Sequence, residues 1–166
     1  MKTILVPIDF SPVTRRVVDE AVTLADALNA RMTLFHSVAP PMMVSTDVAP
    51  LAGPILLMTD DIEKGAQKEL GRMQRELNER GIEVEISTGR GFPVAAIVEE
   101  AKRVAPDYIV IGSHGHTAFY DLVIGGVASG VLKRASCPVV VVSTEKDKAV
   151  RRRPTAMAAT ARRRRR

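Results

Sequence analysis

Apolar and polar positions along the chain fall into short runs that alternate between two kinds of pattern. Thr3 to Val6 (TILV) is continuously apolar and closes at Pro7, Ile8 and Asp9. A run that does not alternate predicts a strand buried on both faces. Ser11-Pro12 follows, and predicts a helix start with the hydroxyl as N-cap and proline at the first helical position. Val17, Val18, Ala21, Val22, Leu24, Ala25 and Leu28 then supply one broad apolar face, with Asn29 as terminator. Arg31 to Val38 (RMTLFHSV) reads as a second strand, with Met32, Leu34 and Val38 on one face and Phe35 on the other.

From Ala39 to Thr59 periodicity gives way to proline-rich and apolar sequence, including Met42, Met43, Leu51, Pro54 and Leu56 to Met58. The expectation here is a long loop whose apolar character suits a cover over a ligand or a partner subunit. Asp60 to Arg80 carries Ile62, Ala66, Leu70, Met73 and Leu77 at spacings of three and four and predicts a helix, stopped by Gly81. Val84 and Ile86 alternate with polar residues, the pattern of a strand at a sheet edge or with a half-covered face. Pro93 opens another helix, with Ala96, Ile97, Ala101 and Val104 inward, ended by Pro106-Asp107. Tyr108 to Ile111 is a fourth strand. A helix from about Gly126 to Ala135 and a fifth strand in Pro138 to Ser143 (PVVVVS) complete the series. Five strands alternating with four helices imply a parallel, doubly wound α/β layer.

Composition changes this picture at one point. The net charge of +5 comes from the end of the chain: residues 151–166 hold eight Arg and no acid, so the other 16 basic groups face 19 acidic ones, a balance of −3. A mildly acidic folded part argues against a general nucleic-acid binder, which needs Lys and Arg clustered on a folded face. Residues 146–166 lack apolar periodicity and read as a flexible basic tail, able to meet nucleic acid only nonspecifically. No stretch reaches the roughly 18 apolar residues of a membrane span, and no leader is evident, so a cytoplasmic protein is the expectation. The lone Cys137 precedes Pro138 at the start of a strand and reads as a buried structural thiol.

The stretch Ile109 to Ala128 (IVIGSHGHTAFYDLVIGGVA) carries the candidate chemistry. A strand ends at Gly112, Gly115 follows after two residues, and Gly125 and Gly126 come after nine more, directly before a helix. Glycine lets a ligand approach backbone N–H groups, and a helix start adds unpaired donors, so the arrangement suits a phosphate held by main chain. His114 and His116 lie on this turn. Two histidines without further ligands do not make a zinc site; hydrogen bonding of one imidazole to phosphate fits better, with solvent exposure for the other. Asp9, at the end of the first strand, reads either as a carboxylate that fixes the turn into the helix or as an acceptor for a ribose hydroxyl or base amine. His36 reads as a satisfied, half-buried histidine rather than a catalytic one. Neither a lysine-bearing phosphate loop nor a nucleophile elbow occurs, and no catalytic residue or protein-held metal is expected.

The opening ILVPIDFS, the LFHSV strand, the Gly112-x-x-Gly115 pair with nine residues before Gly125, and the closing SCPVVVV together resemble the universal stress protein family over residues 1–145. The resemblance implies one domain over those residues, a three-layer, Rossmann-like, five-stranded parallel sheet of order 3-2-1-4-5, and a homodimer through the last strand, Val139 to Val142. It also implies, in one branch, an ATP site, with magnesium held by the phosphates. Adenine and ribose contacts would fall on Pro7, Ile8, Asp9 and Val38, the last through its backbone. Phosphate contacts would fall on Gly112, Ser113, His114, Gly115, His116, Gly125, Gly126, Val127 and Ala128. The nucleotide-binding branch usually has Ser or Thr where this chain has Gly126, so one hydroxyl is lost and weakened binding is expected. Function then reads as a nucleotide-binding stress-response regulator with slow hydrolysis or none. The alternative is a dimeric adaptor of the same fold that binds no nucleotide. A nucleotidyl transferase on this fold is a third reading, for which no catalytic base with a partner is visible.

Overall fold

A computed structural model describes residues 1–39, 52–113 and 124–143, with 52–59 described by their backbone alone. Strands and helices alternate along it as β1 (Lys2–Pro7), α1 (Thr14–Leu28), β2 (Ala30–Val38), α2 (Ala52–Glu79), β3 (Val84–Arg90), α3 (Pro93–Val104), β4 (Tyr108–Gly112), α4 (Gly126–Leu132) and β5 (Val139–Val142). The strands form one sheet in the order β3-β2-β1-β4-β5. Every pairing is parallel, with Ile4 opposite both Met32 and Tyr108, Met32 opposite Val84, and Ile109 opposite Val139.

Because side chains alternate across a strand, the continuous apolar runs of β1 and β4 feed two cores at once. Ile4, Val6, Met32, Leu34 and Val110 pack against Val18, Ala21 and Val22 of α1 and Leu70 and Leu77 of α2. On the opposite face Leu5, Phe35, Ile109 and Ile111 pack against Ala96, Ile97 and Ala101 of α3 and Ala128 and Val131 of α4. The result is three layers, helix pair on sheet on helix pair. Each fully buried aliphatic side chain contributes about 1.5–3 kcal/mol of the burial free energy. Close approach of α3 and α4 depends on Gly130, where an added Cβ would lie 2.7 Å from a Val94 methyl.

Two boundaries differ from the sequence expectation. The first helix starts at Thr14 rather than at Ser11-Pro12, its N-cap is Val13, and no side chain caps it. Ser11 and Pro12 instead form a preceding turn, closed by the Thr14 N–H donating to the Ser11 carbonyl at 3.0 Å. The second difference is α2, which begins at Ala52, inside the stretch expected to be a loop. Pro54 sits in its first turn, where the missing N–H would have had no helical partner anyway, so proline does not end the helix there. The rest of that expected loop, residues 40–51, lies outside the described residues. Other ends are as read: Asn29 closes α1 in a left-handed conformation (φ 50°), and Gly81 follows α2 at φ 84°.

Cys137 is half-buried against the α3/α4 core. Burial, with the nearby Asp107 carboxylate, pushes its thiol up from the ordinary value, which keeps it in the less reactive protonated form. In the same helix layer Glu100 is buried on α3, with Arg103 Nε and Nη2 donating to it at 2.8 and 2.6 Å. That pairing, together with a hydrogen bond from Ser87 of β3, holds its carboxyl below the usual range.

Candidate functional site

The order of strand addition reverses between β1 and β4: the connection from β1 leads to β2 on one side, while β4 lies on the other. Helices leaving the two strands on opposite faces open a crevice at their carboxyl ends. A cavity of about 270 Å³ occupies it, lined by Pro7, Ile8, Asp9, Val13, Thr14 and Val17, by Phe35, His36 and Ser37 of β2, by Pro93 and Ile97 of α3, and by Ile111, Gly112, Ser113, Gly125, Gly126, Val127 and Ala128.

The β1 wall is held by local hydrogen bonds. Ile8 N–H donates to the Phe35 carbonyl at 2.7 Å, carrying the sheet pattern one residue past β1. Asp9 Oδ1 accepts from the Ser11 amide at 3.0 Å and lies 3.3 Å from the Thr14 hydroxyl. The carboxylate therefore fixes the turn into α1, as one of its two sequence readings required, and still borders the cavity. Phe10 takes a left-handed backbone (φ 57°), a conformation that costs a non-glycine residue about 1–2 kcal/mol. Its ring lies against the His36 imidazole, centroids 4.6 Å apart. His36 is half-buried and bonded through Nδ1 to the Ile8 carbonyl at 2.7 Å, the satisfied histidine expected, yet it also lines the cavity. Ser11 is buried, and its hydroxyl is the buried side-chain polar atom that lacks a partner among the described residues.

The β4 wall divides the proposed main-chain donors into two groups. The Ser113 amide donates to the Val142 carbonyl at 2.8 Å, and the Gly125 amide donates to the Ser113 carbonyl at 2.7 Å. These two N–H groups pin the ends of the glycine segment together, so Ser113 and Gly125, to which the resemblance gave phosphate contacts, have their amides bonded within the protein. Among the described residues, no carbonyl accepts from the amides of Gly126, Val127 and Ala128, in the first turn of α4. That follows from their position, since the first bond within the helix runs from the Ser129 amide to the Gly125 carbonyl at 2.9 Å.

Of the residues expected to bind nucleotide, Pro7, Ile8, Asp9, Gly112, Ser113, Gly125, Gly126, Val127 and Ala128 are brought together around this cavity. Val38 is not among its lining residues: it is buried, and its carbonyl accepts from the Gly91 amide at 3.0 Å. Ser37, one residue earlier, lines the cavity instead. His114, Gly115 and His116 lie outside the described residues. Thr14, Phe35, Pro93 and Ile97 were not anticipated as lining residues. Phe35 and Ile97 read from the sequence simply as core, because the cavity floor is continuous with the α3/α4 core.

No Lys or Arg occurs among the described lining residues. What the crevice offers is a carboxylate, an imidazole and hydroxyls on the β1 and β2 side, backbone donors with no partner among the described residues at the α4 side, and an apolar floor between them. Among the described residues no helix is long and apolar enough to cross a membrane.

Known proteins share both the sequence pattern and this architecture. The family model described as universal stress protein family matches residues 1–143. Universal stress protein MJ0531 of Methanocaldococcus jannaschii is 29% identical over 145 residues, covering 87% of this chain and 84% of its own length. The structure of universal stress protein UspA from Lactobacillus plantarum superposes with a TM-score of 0.74 at 24% identity, over 85% of this chain and 97% of that one. A universal stress protein solved in complex with cAMP gives a TM-score of 0.55 at 26% identity, over 87% of this chain and 98% of its own. With a match that runs from β1 through β5 and a sheet of the same order, the chain belongs to the universal stress protein family.

Proposed function

We propose that this protein is a nucleotide-binding stress-response regulator that takes ATP, with magnesium on its phosphates, in the crevice between β1 and β4, and acts as a dimer. The observation that carries the reading is the sorting of polar groups in that crevice: Asp9 at one end, the amides of Gly126, Val127 and Ala128, without a partner among the described residues, at the other, and an apolar floor of Val17, Ile97 and Ile111. A nucleoside has hydroxyl and amine donors and an apolar ring face, and its phosphates are acceptors, so it matches the sorting end for end. The related protein solved with cAMP supports an adenine nucleotide as the ligand class. With no cation lining the described cavity and no activated nucleophile, hydrolysis is slow and incidental. Dimerisation is assigned to β5, whose four valines form an open sheet edge with Val140 39% exposed.

A second reading has an observation of its own. Gly126 supplies no hydroxyl, and the Ser113 and Gly125 amides are already bonded within the protein, both of which favour an adaptor of this fold that works without nucleotide.

Denaturing the protein purified without added ligand and assaying the supernatant for adenine nucleotide separates the two, followed by calorimetric titration with ATP and magnesium. Binding is expected in the micromolar to low millimolar range. Gly126→Ser should tighten it about tenfold, the value of one hydrogen bond to a charged group; a Cβ at this position meets nothing within 4 Å. Absence of both released nucleotide and binding at millimolar ATP would establish the adaptor.

A further inference from the structure

We propose that His36 determines which nucleotide the crevice accepts, its Nε2 receiving a hydrogen bond from an N–H or O–H donor of the nucleoside; the proposal rests on the nucleotide reading above. His36 Nδ1 lies 2.7 Å from the Ile8 carbonyl oxygen. A carbonyl can only accept, so Nδ1 carries the proton, and in the uncharged ring Nε2 is left as a lone-pair acceptor. No protein group among the described residues bonds that nitrogen. Nor is it a sealed, unsatisfied atom, a condition met among the described residues by the Ser11 hydroxyl alone. His36 lines the cavity, and Nε2 is the ring nitrogen it has left to offer there.

The ring is held so that it cannot easily turn this nitrogen away. Its Nδ1 bond anchors one edge to the β1 backbone, and Phe10 lies against its face at a centroid distance of 4.6 Å, tilted by 38°. An uncharged Nε2 repels a phosphate oxygen, which is itself an acceptor, and attracts an amine or a hydroxyl. Together with the Asp9 carboxylate it adds acceptors to the β1/β2 end of the crevice, across from the amides of Gly126 to Ala128. A ligand therefore enters with its nucleoside toward His36 and its phosphates toward α4. The donor can be the exocyclic amine of adenine or a ribose hydroxyl, and the two are separable by ligand choice.

The test uses the full chain at pH 8, where an ordinary imidazole is uncharged, and compares ATP with ITP, which has oxygen in place of the amine, and with dATP, which lacks the 2′-hydroxyl. His36→Asn keeps an N–H donor at the position of Nδ1 and deletes the acceptor at Nε2. Wild type is expected to prefer ATP over one of the two analogues by about three- to tenfold, the value of one neutral hydrogen bond. In the variant that preference disappears while the melting temperature holds. A merely structural role would lower all three affinities together and leave the ratios unchanged, and that result overturns the proposal. Should the variant not fold, ¹⁵N spectra of the wild-type imidazole decide: an Nε2 resonance that moves with ATP but not with ITP, or not with dATP, supports the contact, and one that moves with none overturns it. Wild type that binds no ATP at all overturns the nucleotide reading and this proposal with it; ATP binding without discrimination overturns this proposal alone.

Discussion

The two edges of the sheet are built from opposite kinds of residue. At the β3 edge, Arg90 reaches Asp60 and Glu63 of α2, Thr88 is bonded to Glu63 and lies 3.5 Å from Gln67, and Glu85 pairs with Arg31 of β2. At the β5 edge there are four valines and no charge, with Val140 exposed and Val139 and Val141 half-buried. Among the described residues, both edges leave one row of backbone donors and acceptors without a strand beside it. Charges along β3 make strand addition there costly, whereas β5 itself carries no charge that resists it. The contrast is what supports β5, rather than β3, as the proposed dimer surface.

The largest effect is expected from Val140→Lys. If β5 is the dimer surface, two lysines meet across a two-fold axis, and the dimer dissociation constant should rise at least about a hundredfold, since opposed like charges cost several kcal/mol. Light scattering after gel filtration reads the change. A variant that remains a dimer removes β5 from the interface, and a monomeric wild type removes the comparison.

Next come two glycines that support the two sides. Gly130→Ala places a Cβ 2.7 Å from Val94 at the α3/α4 seam, and Gly89→Ala places one 2.9 Å from the Phe35 ring beneath β3. Each should lower stability by about 1–3 kcal/mol in denaturant melts, the usual cost of overpacking. Gly130→Ala gains up to about 1 kcal/mol of helix propensity in return, so a stabilised variant would mean that α4 rides loosely and that the β5 side is the softer of the two.

Glu100 gives a smaller, pH-dependent effect. Its carboxyl lies below the usual range in the folded protein, chiefly through the Arg103 hydrogen bonds. The unfolded carboxyl takes up its proton first as pH falls. The stabilisation is therefore complete above the ordinary carboxylate value of about 4.3 and is lost as pH descends through the depressed folded value. Glu100→Gln should cost on the order of 1 kcal/mol at pH 7 and little at pH 3. An equal loss at both pH values would mean that packing, not charge, is what Glu100 contributes beside β3.

The smallest effect is expected from Arg90→Ala. Its ion pairs with Asp60 and Glu63 are exposed, and such pairs are largely screened. Thermal melts should show no resolvable shift, and a clear one would mean that the charges of the β3 edge hold α2 in place as well as deterring a strand.

How much of this was legible beforehand differs between frame and site. A continuous run such as TILV reads as a strand buried between two layers, VVVV reads as a strand although it lies at the sheet edge with Val140 exposed, and the 3.6 periodicity of Val17 to Leu28 and of Ile62 to Leu77 reads as one-faced helices. That is because burial of apolar surface at a fixed repeat is a local property of the chain. Strand order was not local and came from resemblance. The start of α2 was missed because a proline in a first turn looks the same in sequence as a proline in a loop.

Residue identity by itself determined the α/β alternation, the inward faces, the helix stops at Asn29 and Gly81, and the glycine spacing between β4 and α4. Only tertiary structure decided which amides remain free. The Ser113 and Gly125 N–H groups are consumed by the carbonyls of Val142 and Ser113, while those of Gly126 to Ala128 meet no carbonyl among the described residues. Likewise, only the fold brings Ile8 to His36 and so decides which imidazole nitrogen faces the crevice. A backbone donor is the same in every residue, and an imidazole has two nitrogens. What each is free to do depends on which carbonyl the fold sets opposite it, and that partner lies tens of residues away along the chain.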